Sequence, residues 1–377
     1  MASKLNKFSI SGFKSIRELK DFEVKKLNVL IGANGAGKSN FIQIFRMLGA
    51  MTQQSFRKFI DVRGGADNFL HNGPKETVSI NAQFEFDSGS QYKKGTNSYQ
   101  FELSPTVDGY FLVKEDRAYC DYSWRSYGSP NDESHLYDER NEKSRCGTWN
   151  GVGHFVYRSI ESWKVYHFHD TSETAAMRRF NSIYDNQKLR EDASNLAAFL
   201  LELRDSEWGS SYYDDIVNAV RLVTPFFEDF LLTTIKRGEE EQVRLDWTQK
   251  GSDFPMQPYH FSDGSIRFIC LATALLQPKP PSIVVVDEPE LGLHPGAIAI
   301  LAELIETTSE RTQVIVSTQS PELINYFSVE DIVVVNRKEG QSTFERLDEK
   351  DYSVWLEDYS IGELWTKNVI AGGTRYE

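Results

Sequence analysis

Positive charge is scarce in this 377-residue sequence: 42 Lys and Arg stand against 55 Asp and Glu, a formal net charge of −13 at pH 7. Proteins that coat DNA without regard to sequence do so through clustered cations that release counterions. The balance speaks against that class, while leaving room for a local basic patch. Cysteine is scarce as well. Cys120, Cys146 and Cys270 are widely spaced and odd in number, which offers no disulfide framework or paired-cysteine metal site and suits the reducing cytoplasm. No apolar run approaches the roughly 18–20 residues that cross a bilayer, and the N-terminus lacks the apolar core of a signal peptide. No membrane association is expected. A sustained heptad pattern is missing too, which excludes a long coiled-coil arm. What the chain does have is 40% hydrophobic and 13% aromatic residues, enough to bury one large core or two ordinary ones.

One stretch organises the rest. Gly32-Ala33-Asn34-Gly35-Ala36-Gly37-Lys38-Ser39 fits G-x-x-x-x-G-K-[ST] at every required position. It lies between the β-prone run Leu27–Ile31 and a helical pattern that puts Phe41, Ile44, Phe45 and Leu48 on one face. The glycines let the backbone turn its N–H groups inward around phosphate oxygens. The helix aims its positive end at the same phosphates, Lys38 reaches the β and γ oxygens, and the Ser39 hydroxyl suits a bridging Mg²⁺. A nucleotide and Mg²⁺ are therefore expected, contacted by Gly32, Asn34, Gly35, Ala36, Gly37, Lys38, Ser39 and Asn40. Ahead of the loop, Lys14 and Ser15 sit in a turn between two alternating strands; that turn is placed either to touch the nucleotide or only to edge the sheet.

The β-branched run Ser282–Val286 ends in Asp287-Glu288-Pro289, as a central parallel strand does when it delivers acids to the carboxyl edge of a sheet. There Asp287 holds Mg²⁺ through its water shell, and Glu288 orients and polarises the attacking water. Phe261-Ser262-Asp263-Gly264-Ser265 precedes an apolar helix. Such an end binds phosphate by the same dipole, although a helix cap without a ligand reads identically.

Between these motifs, residues 76–118 alternate like an antiparallel meander in which Gln83 faces solvent, and residues 119–153 read as an exposed excursion. Trp163–Asp170 reads as a strand with His167 and His169 on one face. His167, His169 and Asp170 tempt a metal reading, but no further Cys or His lies nearby to complete a site. Helices are expected in two pieces across 172–204 and again across 212–230, with a charged hairpin tip at Arg237–Glu241. The acidic tail, interleaved with Trp355, Tyr359 and Trp365, is a solvated cover on the sheet or a docking surface for a partner.

The loop at Gly32–Ser39, the cap at Phe261–Ser265, the strand Val284–Glu288, the stretch Glu290–Pro295 and the run Val314–Pro321 follow one another in the order of ABC-type ATPases. More narrowly, the sequence resembles the RecF/OLD-like, AAA-type and SMC-related group. The resemblance implies an α/β ABC-ATPase head of the P-loop NTPase class. It would have an N-terminal antiparallel β subdomain and a mixed α/β insertion between the loop and the signature. The expected organisation is an N-terminal lobe at 1–90, an inserted region at 91–255 and a C-terminal lobe at 256–377. It further implies a head-to-tail homodimer, with ATP enclosed between the phosphate loop of one subunit and Ser262, Asp263 and Gly264 of the other. Gln319 stands where many ABC ATPases carry a switch histidine. A neutral amide can hydrogen-bond a γ-phosphate but cannot become an imidazolium, so slow or partner-gated hydrolysis is expected. Phe261–Ser265 departs from the transporter-type signature, which speaks against a transporter subunit. After Asn336 only about 40 residues remain, too few for a fused nuclease domain.

Chains resembling this one often act with a separately encoded effector such as a nuclease. The first functional expectation is therefore an ATPase that senses or regulates in a bacterial antiviral defence or toxin-type system. The second is a RecF-like repair or recombination ATPase that grips DNA, against which the acidic balance counts. The third, a scaffold that binds ATP only to dimerise, is opposed by the intact Glu288.

Overall fold

The alternation at the N-terminus closes into a hairpin, β1 (Leu5–Phe13) and β2 (Ile16–Glu23), turned at Lys14 with φ of 49°. The computed structural model describes residues 3–88, 95–119, 124–143 and 150–370; Cys120 and Cys146 lie outside these. β3 (Leu27–Ile31), buried at all five positions, runs into the phosphate loop, and α1 (Lys38–Thr52) leads out of it. The meander follows as β4 (Ile80–Asp87), β5 (Thr96–Pro105) and β6 (Phe111–Tyr119). With the hairpin these make an antiparallel sheet of order β2-β1-β4-β5-β6, edged by the short strand Arg125–Ser126. β5 and β6 lie beyond residue 90 yet pair in register from β4 onward, so this sheet continues past the expected lobe boundary.

The second sheet gathers β7 (Lys164–Tyr166), β8 (Ile283–Asp287), β9 (Gln313–Thr318), β10 (Ile332–Lys338) and β11 (Gln341–Arg346) around β3. Its order is β11-β10-β3-β9-β8-β7, parallel throughout except for the β10–β11 hairpin. The two-residue period of the strands divides the core. Val29, Ile31, Val284, Val286, Val314 and Val316 face the helices α2 (Asp263–Leu276) and α3 (Pro295–Ser309). Leu30, Val285, Ile315, Val333 and Val335 face α1 and the antiparallel sheet. α1 is thereby held between two sheets, with the Phe41 and Phe45 rings 5.6 and 6.1 Å from Phe8 of β1.

Three local expectations need correction. The helix across 212–230 is Ser210–Val223, and Phe227–Leu231 pairs instead as a strand with Asp246–Gln249. Pro225 lacks an N–H and disfavours helical geometry at Thr224. Within 172–204 only Leu196–Asp205 is an α-helix; upstream, the Asn195 side chain donates to the carbonyls of Asp185 and Lys188 at 2.8 and 2.9 Å and holds turns in place of a second helix. The strand expected at Trp163–Asp170 shortens to Lys164–Tyr166. Gln83 is exposed on the antiparallel sheet, opposite Ser9 and Gln100. Among the described residues no helix is long and apolar enough to cross a membrane.

Candidate active site

Parallel strands deliver their carboxyl ends to one edge, and four of them do so here. β3 ends in the phosphate loop, β8 in Asp287-Glu288, β9 in Gln319 and β7 in His167. Within the loop, Gly35 at φ 77° would meet nothing within 4 Å if it carried a Cβ, and Asn34, Gly35 and Ser39 are exposed. This is the open side. The rear is closed: a Cβ on Gly37, at φ 118°, would lie 2.0 Å from the Ser342 hydroxyl and 2.9 Å from that of Ser15. Ser342, at the start of β11, donates to the Ala36 carbonyl at 2.6 Å and its oxygen lies 2.7 Å from Ser15 Oγ, and Asn40 Nδ2 donates to the same Ser15 oxygen at 2.7 Å. Ser15 and Asn40 thus brace the loop from behind. Lys14 points elsewhere, its ammonium 4.5 Å over the Phe69 ring.

Lys38 is 6% exposed, and its ammonium donates to the carbonyls of Gly32 at 2.6 Å and Ala33 at 3.2 Å. Burial pulls its pKa down, while Glu288, Asp287 and Glu290 pull it back up. With only the neutral Gly32 and Ala33 carbonyls in contact, this cation is short of a directly bonded counter-charge.

Glu288 follows the strand end in a left-handed conformation, φ 45°, fixed by its N–H on the Ser317 carbonyl at 2.7 Å. A non-glycine residue there costs of order 1–3 kcal/mol, a strain that surrounding structure must hold. Its carboxylate accepts a hydrogen bond from Gln319 Nε2. Glu290, which sequence reasoning passed over as part of a longer motif, holds the main chain of Gln319 in turn. One of its oxygens accepts from Thr318 Oγ1 at 2.5 Å and Gln319 N–H at 3.1 Å; the other is buried with no partner among the described residues. Burial pushes its pKa up. The signal in the sequence was a third carboxylate two residues past Glu288.

The His167 and His169 rings stack at 4.0 Å, and His169 Nε2 lies 3.2 Å from the Asp287 carbonyl oxygen. Among the described residues no group of three metal-binding side chains forms. The pair braces the strand end.

Ser262 caps α2, accepting from the Ser265 N–H at 3.1 Å, and Asp263 pairs at 3.1 Å with the buried Arg178. A Cβ on Gly264 would lie 2.3 Å from the Gly292 carbonyl oxygen, so the α2 N-terminus and the loop Glu290–His294 pack backbone to backbone. Among the described residues the side-chain hydrogen bonds of Ser262 and Asp263 reach Ser265 and Arg178, and none reaches the phosphate loop of the same chain. One chain presents the two halves apart.

Residues 27–325 match the family described as AAA domain, putative AbiEii toxin, Type IV TA system. No curated protein matches the chain. Among solved structures, an Smc head bound to the C-terminal winged-helix domain of ScpA superposes with a TM-score of 0.63 at 15% identity, over 93% of this chain and 99% of that one. An Smc head with an extended coiled coil, bound to the C-terminal domain of ScpA from Pyrococcus furiosus, gives 0.55 at 16% identity over 94% and 99%. At such identities the likeness is one of fold: an α/β ABC-ATPase head.

Proposed function

The chain belongs to the family described as AAA domain, putative AbiEii toxin, Type IV TA system, an ATPase of the AAA and SMC-head type, and we propose that it works as a sensor or regulator. In this reading it closes head to tail around ATP, hydrolyses it, and acts on a separate effector such as a nuclease in a bacterial defence or toxin-type system, within the cytoplasm. The observation that carries the reading is the meeting of Lys38, Asp287, Glu288 and Gln319 at one sheet edge.

Lys38 and the loop N–H groups bind the β- and γ-phosphates. Asp287 and the Ser39 hydroxyl are hard oxygen donors that suit Mg²⁺, which when bound neutralises charge on those oxygens. Glu288 takes the proton of the attacking water. Gln319 Nε2 donates to that carboxylate, and an amide that moves onto the γ-phosphate would release it; this is a physical ground for slow, gated turnover. Brisk steady hydrolysis by the isolated chain would sink the gating idea.

Exposed Ser262 and Asp263 at the α2 tip support the dimer, because the first N–H groups of a helix lack intrahelical partners and suit a phosphate brought by a second chain. The narrower RecF/OLD-like placement rests on the motif order together with the opening Phe8–Ile16 and the closing Leu356–Leu364, which resemble that group. DNA binding is the second reading, and the antiparallel sheet disfavours it. On its outer face Lys7 pairs with Asp21 and Glu85, Lys20 with Glu18 and Lys114 with Glu102.

The test is the mass of the wild-type chain by light scattering with Mg²⁺ and a slowly hydrolysed ATP analogue. One chain is 43.2 kDa, and the expected result is a doubling. A monomer at saturating nucleotide refutes the dimer. Retention from host lysate of a second protein supports the effector reading, and retention of DNA alone moves the repair reading ahead. Gly264→Ala should separate binding from assembly. Its methyl group pushes α2 off Gly292, so ATP affinity persists while hydrolysis falls by about a hundredfold, the scale of a 1 Å misplacement. A variant that still pairs and hydrolyses normally would show that this contact is dispensable.

A further inference from the structure

Two buried guanidiniums stand behind the α2 N-terminus. Arg267, one turn beyond Gly264, is 9% exposed and donates to three backbone carbonyls: Phe168 at 2.9 Å, His169 at 3.3 Å and Leu291. Arg178, 8% exposed, donates to Thr171 at 3.0 Å, to Pro258, to Phe261 at 3.3 Å and to the Asp263 carboxylate. Neither arrangement is a simple ion pair. A planar fork with several fixed donors reaches acceptors on separate segments at once, which an ammonium cannot do.

The segments joined are telling. Phe168 and His169 follow β7, and the His169 ring contacts the Asp287 carbonyl at 3.2 Å. Leu291 follows β8 and Glu288; its neighbour Gly292 touches Gly264 and, at φ 73°, would place a Cβ 3.0 Å from the Arg267 guanidinium. Arg267 therefore closes a ring: α2 tip, the loop after the two acids, the loop after β7, and back to Asp287. Displacement of Ser262–Gly264 must carry Leu291 and His169 with it.

We propose that Arg267 is a positioning residue that couples the two nucleotide sites of the dimer, transmitting the docking of one chain's α2 tip on the partner's γ-phosphate to that same chain's own Asp287–Glu288 edge. The inference rests on the head-to-tail reading above. ATP in one site then completes the hydrolytic edge of the other, and the dimer turns over as a unit.

The experiment compares wild type and Arg267→Lys in the full chain, measuring hydrolysis against ATP concentration, ATP affinity by nucleotide titration, and thermal melting. Wild type should show a Hill coefficient approaching about 2, the number of coupled sites. Arg267→Lys should keep ATP affinity within about twofold, lose at least about tenfold in kcat and fall to a Hill coefficient near 1. Gly292→Ala, which crowds the guanidinium and leaves its charge in place, should reproduce the loss and guards against a lysine variant that fails to fold. Wild-type kcat and cooperativity in both variants would overturn the coupling, as would loss of ATP affinity and melting temperature together, which marks a structural role. A wild-type chain that neither pairs nor hydrolyses defeats the functional reading itself; intact wild type with unaffected variants defeats only this inference.

Discussion

Glu288→Gln protein binds ATP, hydrolyses it about 10²–10⁴-fold more slowly than wild type, the usual contribution of a positioned general base, and accumulates as an ATP-bound dimer. The substitution is nearly isosteric. The new amide oxygen still accepts from Gln319 Nε2, and the main-chain bond to Ser317 is untouched, so the edge keeps its shape and loses only its basicity. Binding persists because Lys38 and the loop N–H groups remain in place, and Asp287 and Glu290 still favour the charged lysine when Glu288 is neutralised. Single-turnover hydrolysis and light scattering in the same sample decide it. Wild-type turnover would remove Glu288 from the role of base and turn attention to Glu290, the next carboxylate along the loop.

Lys38→Ala gives the opposite pattern. The Kd for ATP should rise by roughly 10- to 150-fold, from the ~1.5–3 kcal/mol that a hydrogen bond to a charged group contributes, and neither dimer nor hydrolysis should appear at moderate ATP concentration. The melting temperature of the nucleotide-free protein should change little. In that state the ammonium is 6% exposed with only the Gly32 and Ala33 carbonyls in contact, so removing it sheds a desolvation cost as well as two hydrogen bonds. A variant that melts far below wild type would mean that the lysine holds the loop together rather than waiting for phosphate.

The parts of this site that could be read along the chain are those whose chemistry is local. Gly32–Ser39 carries its own turn, its own helix start and its own cation, and Val284–Glu288 announces a buried strand ending in acids. What could not be read is what the fold folds back onto them. Ser342 reaches Ala36 over a separation of 306 residues, and no spacing rule flags a serine near the start of a polar strand. Arg267 lies inside an apolar helix where its role depends on carbonyls about a hundred residues upstream. Helix limits failed for the same reason in miniature: Asn195 bonds backward to Asp185 and Lys188, and such side-chain competition outweighs a favourable helical pattern.

The placement of β3 also bears on when the protein becomes capable of binding anything. Among the described residues β3 pairs with β9 and β10, and the serines behind the phosphate loop, Ser15 and Ser342, meet across 327 residues. On the ribosome the motif emerges before its flanking strands and its rear support, which follow only after residues 40–312 have been made. A nascent or prematurely terminated chain therefore carries the whole nucleotide motif as sequence and none of it as a site, so synthesis errors yield inert fragments rather than half-active ones.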